Sequence, residues 1–226
     1  MEIHAPINMA YIMYMVPTTT LPMRNYLLAG LYILHYVNRA FVTPLFLADS
    51  MSPIHLFVVT AASFFNYMNS STIGGWLAGY GGDAAKQPGQ PWQIGLGIAI
   101  FAAGMAGNIL AEGHLREIRR EAAAKQAAEK SGNGAKHDKV YALPSSTNPF
   151  FKYCLFPHYT LEWVEWVGYW MIGGWDFTPG MILVANEIAS MTPRAVWGRK
   201  WYVERFGKDA VGDRRGAVLP RFWGIG

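Results

Sequence analysis

The stretch FPHYTLEWVEWVGY, residues 156–169, places an imidazole and two carboxylates among aromatic and apolar side chains. His158, Glu162, Glu165 and Tyr169 follow one another at spacings of four, three and four residues, which puts them on one face of a helix. Tyr159 and Trp166 flank that face. Such groups can exchange protons or bind hydroxyl and amide groups of a ligand. Ionisable groups at membrane depth cost at least about 2.5–3.5 kcal/mol each, so they face a bundle interior or a wet cavity. Periodicity therefore points to a polar cavity whose ligand it does not identify, with a helix-packing network as the alternative.

A second polar stripe consists of Asn108, Glu112, Arg116 and Arg119, at spacings of four, four and three residues. An amide and a carboxylate deep, with arginines further out, suit a ligand carrying hydroxyls or an amide inside and phosphates near the surface. The planar guanidinium fork matches phosphate oxygens in pairs. A juxtamembrane cluster holding anionic lipid fits the same pattern equally well. The third feature is LHYVNRAFV, residues 34–42. Tyr36, beside His35 and with Arg39 one turn on, is a candidate proton donor or oxyanion stabiliser. An interfacial tyrosine with its hydroxyl among headgroups is the competing reading, favoured on this segment alone.

The elements that must position these residues follow from composition. The 226 residues are 52% hydrophobic and 15% aromatic but only 15% charged, against about 25% charged in ordinary soluble domains. Six mainly apolar stretches approach the roughly 20 residues needed to cross a bilayer as helix: 6–22, 25–47, 54–80, 93–111, 153–175 and 179–197. Most of the 19 Lys and Arg residues fall either between the fourth and fifth stretches or from the end of the sixth onward. Those two regions lie on one side, which the positive-inside rule makes cytosolic. The net charge of +4 then reflects topology, and no nucleic-acid partner is expected. Residues 117–139 begin as a helix leaving the membrane and decay at Ser131-Gly132-Asn133-Gly134 into a flexible cytosolic loop. GYGGDAAKQPGQPW lacks the strand that a dinucleotide fingerprint requires. The single Cys154 excludes an intrachain disulfide and completes no zinc spacing, so no metal is expected. The first residues lack the basic start and cleavage site of a signal peptide.

LHYVNRAFVTPL, GNILAEGHLREIRR, FPHYTLEWVEWVGY and WYVERFG…RRGAVLP, in that order, resemble the steroid 5α-reductase family (3-oxo-5α-steroid 4-dehydrogenases). Polyprenol reductases and trans-2-enoyl-CoA reductases share the later motifs. The resemblance implies an all-α, multi-pass transmembrane bundle of seven helices in the endoplasmic reticulum membrane. Its cofactor cavity lies inside the bundle and opens to the cytosol, and the loop 112–152 and the C-terminus are cytosolic. Residues 1–226 form a single reductase domain that starts about one helix later than the family does. The resemblance further implies NADPH as cofactor and Tyr36 as the group polarising the substrate carbonyl. It matches cofactor contacts to Asn69, Asn108, Glu112, Arg119, Tyr141, His158, Glu162, Arg194, Tyr202 and Arg215. Two positions depart from it: Met15 stands where the family has a catalytic glutamate, and Gly198 where it has a histidine.

The expected activity is NADPH-dependent reduction of a carbon–carbon double bond conjugated to a carbonyl in a lipid. A 3-oxo-Δ4-steroid or sterol-like enone is favoured over polyprenal or enoyl-CoA. A membrane methyltransferase and a non-catalytic paralogue are the other classes. The expected partners are the bilayer and a hydrophobic enone, with the protein a monomer.

Overall fold

Prolines and glycines set where the helices begin and end. The computed structural model describes residues 2–48, 54–130 and 141–220. Its helices are α1 (His4–Met15), α2 (Met23–Val37), α3 (Leu56–Gly75), α4 (Gly82–Lys86), α5 (Pro91–Lys130), α6 (Pro157–Gly173), α7 (Thr178–Phe206) and α8 (Lys208–Val211). α5 and α6 each start on proline, whose missing N–H costs nothing in a first turn. α6 and α7 stop just before Gly174 (φ 92°) and Gly207 (φ 87°), where an L side chain would be unfavourable. Among the described residues the regular structure is helical, with one isolated parallel bridge between Cys154 and Gly216.

α2 continues as a π-helix through Asn38–Leu47, which contains Pro44. A proline ring crowds the preceding turn and removes a donor, and the wider π-turn accommodates both effects. α3 likewise continues as a π-stretch, Trp76–Tyr80, broken at Gly79 (φ 103°). The first helix ends at Met15, short of the expected 22. The fifth begins at Pro157 rather than 153, so Cys154 precedes it, and the last runs on to Phe206 rather than 197. α5 is helical through Lys130, so the start of the expected cytosolic loop is helix, and 131–139 lie outside the described residues. At 1.5 Å per residue its 40 residues extend about 60 Å, twice a hydrocarbon core. Among the described residues one helix, within Pro91–Ala128, is long and apolar enough by itself to cross a membrane.

The chain forms two compact units. The first comprises Met1–Ala102 and Glu165–Ala185. In it α1 packs against α2 and α3, and the connection after α1 is tied down by Thr18, whose N–H donates to the Ala78 carbonyl at 3.0 Å. Gly168 of α6 lies so close to α5 that a Cβ there would fall on the backbone of Phe101. Small residues allow this approach of two helix backbones. The second unit comprises Ala103–Val164 and Asn186–Gly226. Leu155, Tyr202 and Val211 form its buried apolar cluster, backed by Leu143, Phe156, Trp201, Val203 and Phe206. Residues 216–217 run beside 153–156, with Leu155 N–H donating to the Gly216 carbonyl (3.0 Å) and Phe156 N–H to that of Ala217 (2.9 Å).

Candidate functional site

The first unit carries an aromatic box around two side chains of α2. Tyr36 is 5% exposed, its ring 4.6 Å from that of Tyr32, 5.1 Å from His35 and 6.2 Å from Trp166. This burial sets aside the interfacial placement considered from the sequence. His35 Nδ1 lies 2.8 Å from Glu165 Oε1, with both side chains buried. The box is closed by Tyr169 and Phe101, and Trp166 meets Tyr169 edge-on at 5.4 Å. Asn69 donates through Nδ2 to the Tyr32 hydroxyl at 3.2 Å. The Trp166 indole N–H and the Tyr169 hydroxyl are buried with no hydrogen-bond partner, which leaves two donors available in a desolvated setting. A tyrosine that polarises a carbonyl acts most strongly where water is excluded.

Glu2 also belongs to this unit and was passed over in the sequence. Its carboxylate lies 3.5 Å from Arg39 Nε, and Arg39 is three residues beyond Tyr36. Met15, at the far end of α1, is exposed. Thus a carboxylate does stand near the tyrosine helix, though not at Met15.

The second unit holds every other expected site residue. Asn108 donates through Nδ2 to Glu162 Oε2 and to the His158 carbonyl, both at 3.1 Å, so the two polar stripes meet here. Asn108, His158 and Glu162 are buried. Tyr159 is half-buried, its ring stacked 5.7 Å from Phe156. Glu112 pairs with Arg116 at 3.4 Å one turn along α5. Arg119 is exposed and has no ion-pair partner among the described residues. Tyr202 is buried, and that burial raises its phenol's pKa against the opposing pull of Arg119 and Arg215.

The remaining positions are placed less centrally. Tyr141 is exposed, its ring 4.9 Å from Trp201 and under the guanidinium of Arg205 at 5.0 Å. Arg194 is exposed on α7. Arg215 is buried and donates to the carbonyls of Phe151 (2.6 Å) and Pro144 (2.5 Å), so much of its fork is spent holding the chain; burial lowers its pKa. Gly198 faces the ring of Phe156, which fills the space a side chain there would take.

Known proteins agree with the resemblance. A protein of Schizosaccharomyces pombe with no assigned function is 30% identical over 85% of this chain and 66% of its own length. The steroid 5-alpha-reductase DET2 of Solanum lycopersicum is 30% identical over 86% of this chain and 68% of its own. The 3-oxo-5-alpha-steroid 4-dehydrogenase 1 of Mus musculus is 24% identical over 80% and 63%. The chain thus spans about two thirds of the length of these relatives. Residues 52–223 match the family model described as 3-oxo-5-alpha-steroid 4-dehydrogenase, and the chain belongs to that family.

Proposed function

We propose that this protein reduces a carbon–carbon double bond conjugated to a carbonyl in a hydrophobic lipid, a 3-oxo-Δ4-steroid or sterol-like enone, using NADPH. The observation that carries the reading is the buried Tyr36 against His35, which itself holds Glu165. Family membership and two relatives, a steroid 5-alpha-reductase and a 3-oxo-5-alpha-steroid 4-dehydrogenase, support the reaction class.

Tyr36 donates a hydrogen bond to the substrate carbonyl, where negative charge develops in the transition state. Glu2 pairs with Arg39 and orients its guanidinium, whose N–H groups are a second donor set for the carbonyl end. His35 and Glu165 fix the helix face beside Tyr36 and provide a buried proton-holding pair. Tyr36 or a water molecule then delivers the proton to the α-carbon. NADPH, when bound, supplies the hydride for the β-carbon.

The chemistry of the second unit's donor set fits that cofactor. Asn108 and Glu162 offer an amide and a carboxylate for amide and hydroxyl groups. His158 and Tyr159 lie beside them, and Glu112 and Arg116 continue the stripe. Arg119, exposed and without a carboxylate partner among the described residues, is suited to a phosphate. Tyr202, Tyr141 and Arg194 contribute at its edge and Arg215 positions the segment, while Asn69 serves the substrate box through Tyr32.

We place the protein as a monomer in the endoplasmic reticulum membrane, crossing it several times with its basic segments cytosolic. Exposed Phe46, Leu56, Phe57, Phe64 and Trp92 support contact with lipid. The test is NADPH oxidation by detergent-solubilised protein offered a 3-oxo-Δ4-steroid, with Tyr36→Phe alongside. Consumption that needs both the steroid and Tyr36 is expected. Equal turnover by the variant removes Tyr36 from the mechanism, and no turnover with any enone removes the reductase reading.

A further inference from the structure

Arg24 is a buried arginine with no acidic partner among the described residues. It lies in the first turn of α2 and is 6% exposed. Its Nη2 donates to the Ala84 carbonyl at 2.8 Å, and the guanidinium sits 5.6 Å over the ring of Trp76. Its Nε is buried with no hydrogen-bond partner. The acidic residues nearest in sequence to its neighbours, Asp83 and Asp176, are both exposed and unpaired with it. A guanidinium has five N–H donors, and burying its charge without an anion is costly. A cation in the first turn of a helix is also opposed by the positive end of the helix dipole.

A Cβ on Gly89 would lie 2.9 Å from Arg24 Cδ, and one on Gly174 would lie 3.6 Å from Nη1, so the side chain runs directly against Gly89 and beside Gly174. Gly89 lies two residues before the start of α5, and Ile94 of its first turn approaches the same glycine. On the same turn Gln93 is buried, and its Nε2 has no partner. Asn25 donates to the carbonyls of Leu77 (2.7 Å) and Ala85 (2.9 Å), which fixes the loop that presents Ala84. Two helix starts and a buried guanidinium short of acceptors point to one chemistry, that of an oxyanion.

We propose that Arg24 anchors a binding site for a phosphate group where α2 and α5 begin, separate from the residues assigned to substrate and cofactor above. Phosphate offers more acceptor positions than a carboxylate and matches the unused donors better. The group comes from a lipid headgroup or from free phosphate.

The test uses the full chain in neutral detergent, titrated with inorganic phosphate while thermal unfolding is followed. The wild-type protein gains about 5 °C at a phosphate concentration 100 times the dissociation constant. Arg24→Met shows only the smaller rise that phosphate gives any protein by surface exclusion, and without phosphate it melts above the wild type because no charge remains buried. A gain seen instead only in phosphatidate-containing nanodiscs, and not in pure phosphatidylcholine, assigns the same site to a headgroup. Equal gains in wild type and variant, or none in either medium, overturn the proposal. If Arg24→Met does not fold, protection of Arg24 from phenylglyoxal by phosphate in the unmodified protein decides, and absence of protection overturns it. None of these readouts depends on reductase activity.

Discussion

His35 Nδ1 and Glu165 Oε1 lie 2.8 Å apart although 130 residues separate them in the chain, and both are buried within the first unit. The bond joins α2 to α6 beside Tyr36. Removing one buried partner leaves the other short of a bond at a cost of about 1–3 kcal/mol. Glu165→Leu and His35→Leu should each lower stability by about 2 kcal/mol, with the double variant losing well less than their sum. Thermal melts of the four proteins give the coupling directly, and additive losses exclude the link.

Glu2 and Arg39 make the next prediction. With Glu2 orienting Arg39 as a donor at the carbonyl end, Glu2→Gln lowers turnover by about tenfold or more while NADPH affinity holds. Met15→Ala, at the other end of α1, leaves turnover unchanged. The reverse outcome restores Met15 as the position to explain.

Arg119 and Arg194 were equivalent as sequence matches, but differ in setting. Arg119 acts electrostatically on Tyr202, and Arg194 is exposed on α7. Arg119→Ala should weaken NADPH binding by about tenfold, measured by fluorescence titration, because a phosphate loses a charged partner. Arg194→Ala should weaken it less. An unchanged constant for Arg119→Ala returns that residue to lipid headgroups.

Burial pushes the Cys154 thiol up from 9.0 to about 11, against the pull of Arg215. A thiol that holds its proton more tightly when folded adds stability below pH 9, and this is lost as pH rises from 9 through 11. Alkylation of the native protein at pH 8 should therefore be slow. Cys154→Ala should lose less stability than the parent between pH 9 and 11 in thermal melts.

The helices were legible because a run of some 20 apolar residues leaves the backbone few other ways to satisfy itself. Their ends were less so, since the first stretch, expected to reach 22, stops as helix at Met15. The stripe on α6 was legible from its spacing, and its residues are buried as a polar face in an apolar helix requires. The spacing could not divide it: His158 and Glu162 belong to the second unit with Asn108, and Glu165 and Tyr169 to the first with His35. Arg24 was missed because a basic residue at a segment boundary reads as interfacial. Only the positions of Ala84, Trp76 and Gly89 around it reveal that it is enclosed.

The ring of Phe156 against Gly198 makes these two positions conditional on each other. Phe156 is held by its own N–H bond to Ala217 and by stacking on Tyr159, so it cannot simply swing aside. Among homologues, any branch that carries a side chain at position 198 must carry a smaller or displaced residue at 156. Grafting a histidine at 198 into this chain needs a second substitution at 156 before the first can be accommodated.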